Sequence, residues 1–277
     1  MFLKIIIFFS KLTFLKKNIF LKKFLKNLAK NFARLIYGKS KKIKILNKYT
    51  FLINSKFAFS NFENFHNKHN KGFKKLLDIS NNTKIVFDIG AHIGLCTLPL
   101  THLTNRVFSF EASPTNQRYL KNHININNCS NVTIVPYLVG KKNNDNIDFY
   151  DTGDGSGIPS IVNLKFKKKN IVINHIKIKQ INLDNFVKEN SIIPDVIKID
   201  VEGSEFNILD GAKLILKSYR PKIIISLHPE HLKFLNRNVS EIYDYCEKYS
   251  YELLSCIDEH LILKDELALD EYFMRPK

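Results

Sequence analysis

The first fifty residues contain no aspartate or glutamate, although the 277-residue chain holds 26 of them. The same stretch carries 14 Lys and Arg, leaving 29 bases against all 26 acids elsewhere, so the net charge of +17 belongs to one segment. Cysteine is scarce as well. Cys96, Cys129, Cys246 and Cys256 are too scattered for a disulfide framework and show no Cys-x-x-Cys metal spacing, which favours a reduced compartment. Long apolar runs are missing from the basic segment: its longest uncharged run, Ile5 to Ser10, is far short of the about 20 residues a bilayer crossing needs. Lysines return at once and no small-x-small cleavage site follows, which argues against a secretory signal. No internal repeat is visible. At 44% hydrophobic, the chain can bury one sizeable core, or one core plus a short appendage.

What the basic segment does have is periodicity. At 100° per residue, Phe20, Leu21, Phe24, Leu25, Leu28, Phe32 and Leu35 share one side, while Lys22, Lys23, Lys26, Lys30 and Arg34 take the other. Residues 1–50 therefore read as a basic amphipathic helical segment. Such a helix can lie on an anionic membrane surface through residues 1–36, each lysine contributing about 1 kcal/mol. It can equally pack its apolar side on its own domain. A nucleic-acid arm ranks below both, because the residues between the lysines are Phe, Leu and Ile rather than polar. Residues 51–83 read as a connecting region, and the Asn/Lys/Phe-rich stretch from Ser40 to Lys84 as short helices leading to a domain at 84–277.

From Lys84 short β-branched runs alternate with helical stretches, the pattern of βαβ units in a sheet covered on both faces. Strands are predicted at Ile85–Ile89, Arg106–Glu111, Val132–Leu138, Val196–Asp200, Lys222–Leu227 and Tyr251–Cys256, with a short seventh at His260–Leu263. Helices are predicted at Gly94–Leu103, Pro114–Asn127, Ser204–Ser218 and Ser240–Tyr249. A long insertion, Gly140 to Pro194, holds the glycine-rich "DTGDGSGIPS" and a β-like run, "NIVINHIKIKQINL". Insertions of that length in a compact domain are usually functional or disordered.

Three motifs carry chemistry. In "FDIGAHIG", Asp88 ends the first strand, Gly90 permits a tight turn and Gly94 lets the next helix pack closely. Glu111 of "VFSFEASP" ends the second strand 17 residues beyond Gly94, where nucleotide-binding folds place the acid that pairs with ribose hydroxyls. His92 occupies the middle glycine slot, so the backbone cannot approach a pyrophosphate as a dinucleotide requires. S-adenosylmethionine has no phosphate to cradle, and Asp88 with its turn can face the ligand's amino group or sulfonium side. In "KIDVEGSE", a buried strand delivers Asp200 and Glu202 to the sheet edge, while Glu205 reads as a favourable charge at a helix N-terminus. The strand of "PKIIISLHPEHL" ends in His228, a candidate to take a proton from an acceptor hydroxyl. Asp200, Glu202 and His228 could together hold a divalent metal, but ligand spacing cannot be read across separate strands, so no metal site is predicted.

"FDIGAHIG", "SFEASP", "INLDNF", "VIKIDVEGSEFNILDGA" and "RPKIIISLHPE", in that order, resemble the FkbM family of S-adenosylmethionine-dependent methyltransferases over about Lys84 to His231. The resemblance implies an α/β fold: a Rossmann-like, doubly wound, mostly parallel seven-stranded sheet. It also implies O-methylation of a hydroxyl on a sugar or related natural product. Asp88, Gly90 and Gly94 would then line the methionine end of S-adenosyl-L-methionine and Glu111 its ribose, with His92 in the same turn a further cofactor-binding candidate. Asp184 of "NLD", Asp200 and Glu202 would lie by the transfer site, with Asp200 or His228 as base and Gly155 and Ser156 of the glycine-rich loop shaping the acceptor site. Two departures stand out: His92 replaces a common asparagine, and "PYLVG" replaces the usual Asn-Ala-x-Gly on the adenine side. The expected partner is a small-molecule or lipid-linked glycan acceptor, and the expected location is the cytoplasm, at the inner membrane face. Rival readings are an RNA methyltransferase and a non-catalytic interaction protein on a relic fold.

Overall fold

A computed structural model describes residues 31, 33–58, 60, 62, 70–151 and 174–277. The chain divides into two compact units, Met1–Phe65 and His66–Lys277. Most of the expected amphipathic helix, and all of the glycine-rich stretch 153–157, lie outside the described residues. In the first unit, β1 (Ser40–Ile45) pairs antiparallel with β2 (Tyr49–Asn54). This corrects the expectation of short helices there. The reason is a period of two: Ile43, Ile45, Phe51 and Ile53 are buried on one face while Lys42 and Lys44 alternate outward. Leu46 and Asn47, both with φ near 52°, close the hairpin.

The second unit is built on a sheet of seven strands: β3 (Thr83–Ile89), β4 (Thr104–Phe110), β5 (Val132–Val135), β9 (Val196–Ile199), β10 (Lys222–Leu227), β11 (Tyr251–Ser255) and β12 (Asp270–Pro276). Their spatial order is β11-β12-β10-β9-β3-β4-β5, with β12 antiparallel to both neighbours and the other pairs parallel. The seventh strand is thus Asp270–Pro276 rather than His260–Leu263, which makes only a single bridge, Leu254 to Leu261. The expected strand Val132–Leu138 stops at Val135, because Pro136 has no N–H to continue the ladder. Leu138–Gly140 (β6) instead joins a smaller sheet with β8 (Asn174–Asn182) and β7 (Asn144–Asp151).

Helices cover the large sheet, and aromatic packing fixes one of them. Phe186, on the helix Leu183–Asn190, meets Phe87, Phe108 and Phe110 edge to face at centroid distances of 6.0, 6.1 and 5.2 Å. The helix Pro114–Ile126 starts with a Ser113 cap and proline in its first turn, and buries Leu120 and Ile124 beside Ala91. Ser204–Ser218, expected as one helix, is Glu205–Asp210 followed by a π-helical turn at Ile215–Tyr219. The chain runs outward from β3 to β4 and β5 on one side and from β9 to β10 on the other, so the sheet's order reverses between β3 and β9. Ligands of open α/β sheets bind beyond the strand ends at such a point.

Candidate active site at the carboxyl edge of the sheet

Beneath the first glycine turn lies a buried ion pair. Asp88 on β3 stands in register with Lys198 on β9 and Ser109 on β4, so the three side chains share one face of the sheet. Lys198 Nζ lies 3.2 Å from Asp88 Oδ1 and donates to the Gly90 carbonyl at 2.9 Å. Thr97 donates to Asp88 Oδ2 at 2.7 Å and sits 2.9 Å from the Ser109 hydroxyl. Burial opposes the charge on Lys198, yet the carboxylates of Asp88 and Asp200 hold its pKa above the ordinary value. Asp88 is fully buried. Its carboxylate supports the turn from below through Lys198, which also donates to the Gly90 carbonyl.

The turn itself requires its glycines. Gly90 has φ +77°, and a Cβ there would stand 1.8 Å from the Asp200 carbonyl oxygen. Gly94 has φ +94°, and a Cβ there would meet Leu120 at 2.8 Å. His92 also adopts a left-handed φ of 53°, and its N–H donates to Glu111 Oε2 at 2.7 Å. The other oxygen of Glu111 accepts from the Ser113 N–H at 2.9 Å and from Asn116 at 3.3 Å. Burial pushes this carboxyl up to about 7, against the hydrogen bonds from Ser113, His92 and Asn116. Gly90, His92, Gly94 and Glu111 thus form one cradle at the ends of β3 and β4. Asp151, the last described residue before 152–173, accepts from the Ser113 hydroxyl at 3.0 Å, beside this cradle.

On the other side of the switch point the acids of β9 meet the histidine that ends β10. His228 Nδ1 is hydrogen-bonded to Glu205 Oε1 at 2.6 Å, and its Nε2 faces Asp200 Oδ1 at 3.8 Å and Glu202 Oε2 at 3.7 Å. Glu205 is fully buried and also accepts the Gly203 N–H at 3.0 Å. Burial disfavours the imidazolium, but the Glu205 hydrogen bond, then the charges of Glu205, Asp200 and Glu202, raise His228 to about 9. His231 lies 3.1 Å from Glu202 and stacks on His228 with ring centroids 5.7 Å apart. Next to this group opens a cleft of about 360 Å³ whose wall includes Asp200, Glu202, His228, Asp270 and Glu271. Asp88, His92 and Glu111 are not part of that wall. This cradle and the cleft are therefore neighbours across β3 and β9.

Of the residues singled out from sequence, Gly90, His92, Gly94 and Glu111 come together on one side, and Asp200, Glu202 and His228 on the other. Asp184 has a different use. Its carboxylate accepts from the backbone of Leu214 and Ile215 at 2.9 and 3.1 Å, capping the π-helical turn. Gly155 and Ser156 lie outside the described residues. Lys198, His231 and the pair Asp270 and Glu271 were not anticipated, and Glu205 was read only as a helix-end charge. Among the described residues no group of three or more His, Cys, Asp or Glu side chains is placed to hold a metal ion.

A doubly wound sheet of seven strands with one antiparallel member, a glycine turn after its first strand and an acid ending the second defines the Rossmann-like methyltransferases that use S-adenosyl-L-methionine. The Methyltransferase FkbM domain model matches residues 88–253, and the chain belongs to that family. It is similar to the hexuronic acid methyltransferase AglP of Haloferax volcanii, with 28% identity over 155 residues, 55% of this chain and 59% of that relative. The chain thus spans less than two thirds of that protein. Among solved structures, methyltransferase FkbM of Methylobacillus flagellatus is 21% identical with a TM-score of 0.44, covering 70% of this chain and 43% of that one. TYW2 of M. jannaschii in complex with AdoMet is 17% identical with a TM-score of 0.41, covering 85% and 83%. The donor set of the cradle fits S-adenosylmethionine: a carboxylate for ribose hydroxyls beside a turn that no Cβ could enter at Gly90.

Proposed function

We propose that this methyltransferase methylates a hydroxyl of a sugar or related glycan held in the cleft beside Asp200 and His228. The observation that carries this reading is the convergence, at the ends of four adjacent strands, of the Gly90 turn, Glu111, Asp200 and His228, with the cleft on the Asp200 side. S-adenosylmethionine, when bound, supplies a methyl group activated by a sulfonium. Glu111 would accept from the ribose hydroxyls, while Gly90, His92 and Gly94 would shape the floor and Lys198, anchored on Asp88, holds that floor in place. Much of the acceleration would come from the cleft holding the acceptor hydroxyl in one orientation beside the bound cofactor. Asp200 would take the proton of that acceptor hydroxyl. At neutral pH His228 is an imidazolium, and its Nε2 faces the side chains of Asp200 and Glu202 at 3.8 and 3.7 Å.

Titration calorimetry with S-adenosylhomocysteine tests the cofactor half. Wild type binds and Glu111→Ala binds at least about tenfold more weakly; a folded wild type that does not bind sinks the reading.

The basic segment fits a second part of the same proposal. Residues 1–36 hold the protein on an anionic membrane, where lipid-linked acceptors are presented; the support is the acid-free, Phe- and Leu-rich composition of that segment. No helix among the described residues is long and apolar enough to cross a membrane. Flotation with phosphatidylglycerol liposomes should capture the full chain and lose it on removal of residues 1–36; equal capture of both refutes this part.

A further inference from the structure

We propose that the cleft selects a sugar without an acid group, favouring a cationic amino sugar over a neutral one and rejecting a hexuronate. This rests on the methyltransferase reading above. Five carboxylates belong to the wall, those of Asp200, Glu202, Glu230, Asp270 and Glu271, and among the described residues no lysine or arginine does. A bound carboxylate would therefore find five acids and one cation, the His228 imidazolium, which Glu205, Asp200 and Glu202 already engage.

The cations nearby are already engaged. His228 is bonded to Glu205 and faces Asp200 and Glu202. Lys198 pairs with Asp88 and lies 3.8 Å from Asp200, Lys71 pairs with Asp270, and Lys233 lies 3.2 Å from Glu230. None of these three lysines is part of the wall.

Glu271 registers the resulting field. It is buried, and that burial, followed by repulsion from the charge of Asp200, pushes its carboxyl up to about 7. The shift persists although the Gly72 N–H donates to Glu271 at 2.6 Å and the Ser226 hydroxyl at 3.2 Å. Where one carboxylate already raises another, an incoming ammonium relieves the repulsion and an incoming carboxylate adds to it. The hydroxyls of a neutral sugar can donate to the same oxygens, which is why a neutral ring is accepted. The same charge excludes a phosphodiester chain from the cleft, and so sets an RNA acceptor aside. It also separates this chain's acceptor from the hexuronic acid named for its Haloferax relative.

The test uses the full-length protein saturated with S-adenosylhomocysteine and three methyl glycosides that share one ring: the glucosaminide, the glucoside and the glucuronide. Dissociation constants are read by ligand-observed NMR. The expected order is glucosaminide tightest, glucoside next, and glucuronide at least about tenfold weaker than the glucosaminide. The double variant Asp270→Asn, Glu230→Gln should narrow that gap. A glucuronide that binds as tightly as the others, or binding of none of the three, overturns the proposal. If S-adenosylhomocysteine binds while the glycosides show no preference, only the specificity fails; if it does not bind, the methyltransferase reading fails with it.

Discussion

The pairing of His228 with a buried Glu205 predicts a histidine that stays charged well above neutrality. Its pKa rises from 6.5 to about 9, and a shift of that size corresponds to roughly 3 kcal/mol of differential interaction. Because the folded value lies above the unfolded one, this stabilisation is fully present below pH 6.5. It falls as pH rises from 6.5 to about 9, and is gone above that. At pH 7 only about 1% of His228 is neutral, from the two-unit distance to its pKa. Glu205→Gln removes the largest favourable contribution and should bring the titration back toward 6.5. Histidine-labelled NMR reads the imidazole directly, and urea unfolding at pH 6 and pH 10 reads the linked stability. The wild type should lose more stability than the variant between those two pH values. In turnover, methyl transfer by the wild type should fall above about pH 9, where the imidazolium is lost, and the variant should show that fall at lower pH. A wild-type His228 that titrates near 6.5, or one that Glu205→Gln does not move, refutes the dyad. A rate that keeps rising through pH 9 would instead make neutral His228 the base.

Two further predictions separate support from chemistry. Lys198→Met leaves Asp88 buried beside an apolar side chain, which should destabilise the fold by about 3–5 kcal/mol, measured by urea unfolding; a loss below about 1 kcal/mol would show that the pair does not hold the turn. Asp184→Ala removes two hydrogen bonds to the Leu214 and Ile215 backbone and should cost about 1 kcal/mol. Its affinity for S-adenosylhomocysteine and its rate of methyl transfer should match wild type, and a rate loss without a stability loss would return Asp184 to the transfer site.

The large sheet was legible because its parallel strands are buried on both faces and read as unbroken apolar runs, "KIVFDI", "VIKI" and "KIIISL". The strand Asp270–Pro276 was not, since "DEYFMRP" mixes charges with aromatics and gains its pattern only by lying between β10 and β11. The insertion hid the helix Leu183–Asn190 because its apolar stripe is short, and Phe186 has meaning only against three phenylalanines from strands far back in the chain. Backbone needs were legible in the glycine turn, whereas side-chain destinations were not. Asp88 was read as the strand end beside the ligand, and its burial against Lys198 follows from the register of β3 with β9, which the sequence does not show.

Lys198 explains why motifs more than a hundred residues apart work as one site. A lysine in an apolar strand reads as a solvated stem, yet here it is almost fully buried and reaches both the Asp88 carboxylate and the Gly90 carbonyl from the neighbouring strand. The same closeness of β3 and β9 leaves no room for a side chain at Gly90, because the Asp200 carbonyl occupies that space. One inter-strand contact therefore sets the glycine turn and the position of Asp200 together. A change at either end should disturb both cofactor binding and proton transfer, which is the behaviour expected of a site assembled across a switch point rather than within one loop.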